Sequence, residues 1–272
     1  MVGVSGASEK ILKEKLAMGE HDTWFHLLPG VRNLDAAISQ SLGHGLLGSS
    51  SDHSPHVIMS LGIAVLLIFL AISYRAQRDA TADGGAIPDR RLSIRSFVEL
   101  VAEQAYGLCE GVMGRAAARY FLPLIGTLAF FILLSNLSGL IPGFLPPTDQ
   151  LSTVFPAALV VFFATHIYGI KRNGVRAYFG HMMGPMLLLA PLIFVIELIS
   201  HLARPMSLSL RLFGNMVGDH KVLLVFMGLA PFLVPIPVMV LGIIVCVVQT
   251  LVFCLLSVVY IGMAIEDMHA HH

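Results

Sequence analysis

Eleven polar or ionisable side chains stand between positions 197 and 221 in an otherwise apolar tract: Glu197, Ser200, His201, Arg204, Ser207, Ser209, Arg211, Asn215, Asp219, His220 and Lys221. At 100° per residue, Glu197, His201, Arg204, Arg211, Asn215 and Asp219 fall within an arc of about 80° on a helix, with Leu208 interrupting the row and His220 off it. A guanidinium cannot shed its charge, and at bilayer depth a charged residue costs roughly 2.5–3.5 kcal/mol by insertion scales. A helix face that carries Arg211 at such depth does not meet lipid. The row carries charge, and histidine, here His201, is the side chain whose ordinary pKa, about 6.5, lies nearest neutrality. Gly214 and Gly218, four residues apart beside the stripe, have the spacing that lets another helix approach closely, and Ser207 and Ser209 add further small side chains.

Plainer roles for these residues stand beside that reading. Arg204 and Lys221 can snorkel to an interface. Glu197 and His201, four apart, can simply pair, and Gly214 and Gly218 can pack helices within the chain. Arg211 can sit in an internal ion pair, although Glu197, about four turns away on the same helix, is out of its reach. No metal site is expected: there is no HExxH, and His269, His271 and His272 form a loose tail. Cys109, Cys246 and Cys254 show no metal-ligand spacing. Cys246 and Cys254 fall on one helix about 12 Å apart along its axis, too far for a disulfide.

The elements that must hold this stripe follow from composition. The 272 residues are 56% hydrophobic and 12% charged, with mean hydropathy +0.80. Soluble domains average about 25% charged residues, so most of the chain is built for lipid. The net charge of zero gives no case for nucleic acid. Residues 1–56 are polar. Residues 57–74 form a first span, and 75–119 a loop in which Ile94, Phe97, Val98, Val101, Ala105, Leu108 and Val112 recur at helical spacing. That helix is amphipathic and lies on the membrane surface or against a partner helix. Residues 120–170 hold two spans around a Pro146-Pro147-Thr148-Asp149 turn. From 181 to 265 the chain is almost continuously apolar, bent by Pro231, Pro235 and Pro237 into a hairpin. Its first arm approaches fifty residues, about 70 Å if upright against a hydrocarbon core of about 30 Å. The arm must therefore tilt steeply, or break at Pro191 or Pro205.

The fold class is thus an all-α polytopic membrane protein with about five crossing helices, the last two a long tilted hairpin, plus a surface amphipathic helix. The basic residues of 75–119 and of 171–176 lie two crossings apart, while 145–150 holds none, so both basic loops face one side, the cytoplasmic one by the positive-inside rule. The N-terminus is then outside and the C-terminus inside. In the second arm Gln249, Thr250, Ser257 and Tyr260 are the chief polar groups. Gln249 falls at the depth of Arg211 to Asp219 and can face the stripe.

Pro205-Met206-Ser207-Leu208-Ser209-Leu210-Arg211-Leu212-Phe213-Gly214-Asn215-Met216 closely resembles the motif of subunit a of the F-type ATP synthase membrane sector. Asn136 with Gly139-Leu140-Ile141-Pro142-Gly143, Glu197, and Gln249-Thr250-Leu251-Val252-Phe253 extend the resemblance over residues 120–265. It implies a stator for a rotating ring of subunit c hairpins, working with a subunit b stalk and the catalytic head in a bacterial cytoplasmic (inner) membrane. No cofactor and no metal are implied, and the isolated chain is not an enzyme. Arg211 matches the essential arginine between two offset half-channels. Glu197, His201 and Ser207 would line the cytoplasmic one; Asn215, Asp219, His220 and Gln249 would line the extracytoplasmic one. Gly214 and Gly218 would pack against the ring. One departure stands out: the resemblance leads to an ionisable side chain shortly before Gln249, where this chain has Gly242 and Cys246, and Asp219 beside His220 is the candidate replacement. An ion-coupled secondary transporter is the alternative, but no paired repeats accompany the midplane charges. A purely structural membrane anchor gives no reason for the stripe.

Overall fold

A computed structural model of the chain describes residues 54–79, 93–141, 144, 146–183, 190–229 and 235–265. In chain order these form α1 (Ser54–Asp79), α2 (Ile94–Ser138), a 3-10 turn (Pro147–Asp149), α3 (Leu151–Asn173), α4 (Val175–Met183), α5 (Ala190–Leu229) and α6 (Pro235–Ile265). Among the described residues there is no strand. Five helices among the described residues are long and apolar enough to cross a membrane. The protein is an all-α polytopic membrane protein. The polar N-terminal segment, the residues joining α1 to α2, the bend at 230–234 and the histidine tail lie outside the described residues.

Large apolar side chains such as Leu61, Val65, Ile68, Phe69 and Ile72 stand exposed along α1. In lipid that exposure carries no hydrophobic cost, so a helix apolar all round is stable there. The α2 helix is two helices meeting at Gly114, whose φ of 75° and ψ of 168° place it outside the helical region. Glycine alone takes this conformation readily. Residues 94–113 fold back along 115–138, so that the Phe97 and Phe130 rings meet edge-on with centroids 6.3 Å apart. Ala105 and Cys109 from the first half join Phe121 and Ile125 from the second and Cys254, Val258 and Ile261 of α6 in one core. The partner of the amphipathic segment is therefore its own continuation together with α6.

Gly174 repeats the device between α3 and α4, with φ 80° and ψ 156°. The fold-back lays Tyr178 on Gly169, where an added Cβ would stand 2.7 Å from Tyr178 Cε2. Burial there pushes the Tyr178 phenol above its ordinary pKa.

The long arm resolves into α4 and a separate α5 of 40 residues that runs unbroken through Pro205. At 1.5 Å per residue it measures about 60 Å, twice the hydrocarbon thickness, so it can stay in the membrane only tilted. Pro205 takes away the N–H that would bond the His201 carbonyl, and Ser209 Oγ donates to the Pro205 carbonyl at 2.7 Å. The inward face of α5 is apolar in its middle. Leu208, Leu212 and Met216 are buried with Leu128 and Ile132 of α2, Val154, Ala158 and Val161 of α3, and Phe253 of α6.

Candidate functional site

The stripe runs along the edge of that inward face, and the apolar layer at Leu208 and Leu212 stands between its two groups of polar side chains. Toward the start of α5 lie Glu197, His201 and Arg204; toward its end lie Asn215, Asp219 and His220. Arg204 and Asn215 are about 16 Å apart along the helix axis. Arg211 stands between the two groups, on the exposed edge of the apolar layer.

Four helices build the inner patch. His201 Nδ1 donates to the Glu197 carbonyl at 3.0 Å and lies 3.4 Å from Glu197 Oε1. The Arg204 guanidinium carbon sits 5.3 Å from the centroid of the Tyr260 ring of α6, a cation–π contact that holds the charge against an aromatic face. So Arg204 is engaged inside the bundle. His166 of α3 brings its ring centroid to 5.3 Å from that of His201 and 6.0 Å from that of Tyr178. Its Nδ1 donates to the Phe162 carbonyl at 2.8 Å. A small cleft among Thr165, His166, His201, Arg204 and Tyr260 joins these groups. Ser207 is exposed and outside this cleft. Sequence reasoning missed His166 and Tyr178 because neither belongs to a polar row on its own helix that would draw notice. The polar face of α6 did point to Tyr260.

The outer patch joins α5 to α6. Asn215 Nδ2 donates to Gln249 Oε1 at 2.6 Å, and Gln249 is buried. Gln249 Nε2, Asp219 Oδ2 and His220 Nδ1 are buried with no hydrogen-bond partner among the described residues. Buried polar atoms in that condition are where a protein holds ordered water. Buried Asn136 of α2 adds two more such atoms near this end of the bundle. On α6 a Cβ at Gly242 would overlap Leu140 Cδ2, the far end of a side chain that would have to turn aside. Cys246 is fully buried.

Arg211 itself is exposed. It forms no ion pair with a carboxylate among the described residues, so an internal pair with Glu197 or Asp219 is not what holds it. Ser207, Gly214 and Gly218 share its exposed side of α5. A Cβ added at Gly214 or Gly218 meets nothing within 4 Å, so neither glycine serves the packing of the described residues. Lys221 is exposed. Among the described residues no group of three or more His, Cys, Asp or Glu side chains could hold a metal ion.

Fold and site together define an integral membrane protein whose charged helix turns one face to something other than its own chain. A family model described as ATP synthase A chain matches residues 57–262. The chain is 52% identical over 190 residues to ATP synthase subunit a 2 of Syntrophotalea carbinolica, covering 70% of this chain and 79% of that protein. It is 48% identical over 207 residues to ATP synthase subunit a of Geobacter sulfurreducens, covering 76% and 85%. With ATP synthase subunit a of Sorangium cellulosum it shares 44% identity over 245 residues, 90% of this chain and 94% of that one. The chain belongs to the family of subunit a of the F-type ATP synthases, proteins of ATP synthesis and ion transport.

Proposed function

We propose that this chain is the stationary proton-conducting subunit of a rotary ATP synthase. It works beside a ring of subunit c and is held by a subunit b stalk that leads to the catalytic head. It provides two half-channels, one from each side, and Arg211 separates them. The observation that carries this reading is the division of the polar stripe by an apolar layer, with an exposed cation at the level of that layer that has no ion pair among the described residues. A continuous polar row would be a leak; two dead ends with a fixed charge between them are not.

A ring carboxylate that faces lipid must be neutral, because the ionised form is costly there. When rotation brings it opposite Arg211, the guanidinium favours the carboxylate and its proton leaves through one half-channel. Past the arginine it must be reloaded from the other before it re-enters lipid. The same charge repels protons that would otherwise cross directly. Each proton that moves down the membrane potential supplies about 2.3 kcal/mol per 100 mV. Glu197 and His201 belong to the cytoplasmic half-channel, and Ser207, small and exposed, borders its approach to the ring. Asn215, Asp219, His220 and Gln249 belong to the extracytoplasmic one, with Asp219 taking the place of the ionisable group that α6 lacks at Gly242 and Cys246. Gly214 and Gly218 give the ring helices close approach. The chain makes and breaks no covalent bond. The N-terminus lies outside a bacterial inner membrane and the C-terminus in the cytoplasm.

Arg211→Ala in the assembled synthase tests this. Proton-driven ATP synthesis should cease while the complex still assembles and the catalytic head still hydrolyses ATP. Normal synthesis by that variant would remove Arg211 from the mechanism.

A further inference from the structure

The inner patch holds an ionisable group that belongs to no stripe. His166 stands on α3 with its ring centroid 5.3 Å from that of His201 and the two planes at 73°. Both rings give Nδ1 to a main-chain carbonyl four residues back in their own helix, His166 to Phe162 at 2.8 Å and His201 to Glu197 at 3.0 Å. A carbonyl only accepts. Nδ1 therefore carries the hydrogen in both neutral rings, and both lone pairs are at Nε2. Both rings line one cleft with Thr165, Arg204 and Tyr260. The charged and titratable groups that face the pair are Glu197 and Arg204 from α5, Tyr178 from α4 and Tyr260 from α6.

We propose that His166 is a second proton-storing imidazole of the cytoplasmic half-channel, acting in one path with His201; this rests on the half-channel reading above. Each Nε2 takes a proton from water and later returns it at the same atom. The ring passes from neutral to imidazolium and back, the Nδ1 hydrogen stays on its carbonyl, and nothing is oxidised or reduced. Two imidazolium charges at this separation, with the Arg204 cation beside them, repel each other, which disfavours loading both rings at once. Loading one ring therefore favours release from the other.

The test uses the complete synthase in inverted membrane vesicles, whose outer face is the cytoplasmic one, and follows both ATP-driven proton pumping and passive conductance after the head is stripped. His166→Asn keeps a side-chain N–H for the Phe162 carbonyl but has no atom that binds a proton near neutrality. Conductance should match the parent at about pH 6 and fall about three- to tenfold by about pH 8. The His166→Asn, His201→Asn double variant should be no slower than the slower single variant, because the rings act in one path. Imidazole in the medium should restore conductance to His166→Gly. A His166→Asn synthase with the parental pH profile would overturn the proposal. So would a deficit equal at every pH and unmoved by imidazole, which marks a packing role. Immunoblots for this chain and the ring exclude simple loss of assembly. Arg211→Ala separates the two layers of argument: if it still makes ATP, the half-channel reading fails, whereas an inactive Arg211→Ala beside a normal His166→Asn sinks only the relay.

Discussion

Gly218→Leu, alone and with Gly214→Ala, distinguishes a helix face shaped for a neighbour from one shaped for this chain's own core. A Cβ at either position meets nothing within 4 Å, whereas one at Gly169 would lie 2.7 Å from Tyr178 Cε2 and 3.1 Å from the Ala264 carbonyl oxygen. Replacing a helix-interior glycine with a good helix former gains about 0.5–1 kcal/mol. The two substitutions on α5 should therefore leave this chain as stable as before or about 1–2 kcal/mol more stable. Gly169→Ala should instead cost about 1–3 kcal/mol by overpacking, because a ring and a backbone carbonyl must both give way. If a ring helix passes the open face, the added side chain occupies space that the passing helix needs. The same overlap of about 1–3 kcal/mol then acts on the coupled motion, a slowing of about 5–150-fold. Thermal unfolding of the solubilised complex, followed through this chain, measures the first quantity, and ATP-driven proton pumping measures the second. The reasoning is refuted by a Gly218→Leu synthase that pumps normally, or by one that loses as much thermal stability as Gly169→Ala.

Other perturbations reach different parts of the structure. Asn215→Leu removes the donor to Gln249 Oε1, leaving a buried amide oxygen unsatisfied at a cost of about 1–3 kcal/mol, read as a lower unfolding temperature of the complex. Gly114→Ala forces a side chain into a positive-φ conformation, a strain of about 1–3 kcal/mol. A cross-link between cysteines placed at positions 97 and 130 should form less readily in that variant. His201→Cys and Asp219→Cys should react with membrane-impermeant thiol reagents from opposite sides of the membrane, the first from the cytoplasm; reaction of both from one side would refute the two-channel layout. The native thiols at Cys109, Cys246 and Cys254 are buried and should not obscure that measurement.

Much of this protein is legible in one dimension. Apolar runs of bilayer length mark the crossing helices because hydrocarbon offers no partner to the backbone or to charge. The period of the helix then places Glu197, His201, Arg204, Arg211, Asn215 and Asp219 along one edge of α5 without reference to any other element. The depth match between Gln249 and the stripe is likewise a matter of counting from the bend, and the Asn215 bond at 2.6 Å agrees with it. What counting along one helix cannot supply is which neighbour each residue meets. Only the packed structure brings His166 of α3 to His201 and Tyr178 of α4 to His166, since the meaning of each depends on a neighbouring helix. Only the structure shows that Leu140 fills the space beside Gly242. It also shows that Gly114 and Gly174, unremarkable as letters, take positive φ angles that fold helices back on themselves. Periodicity and hydropathy are properties of a segment and its solvent, so the chain alone determines them. Adjacency between segments depends on turns and side-chain volumes acting together, and is decided only when the helices pack.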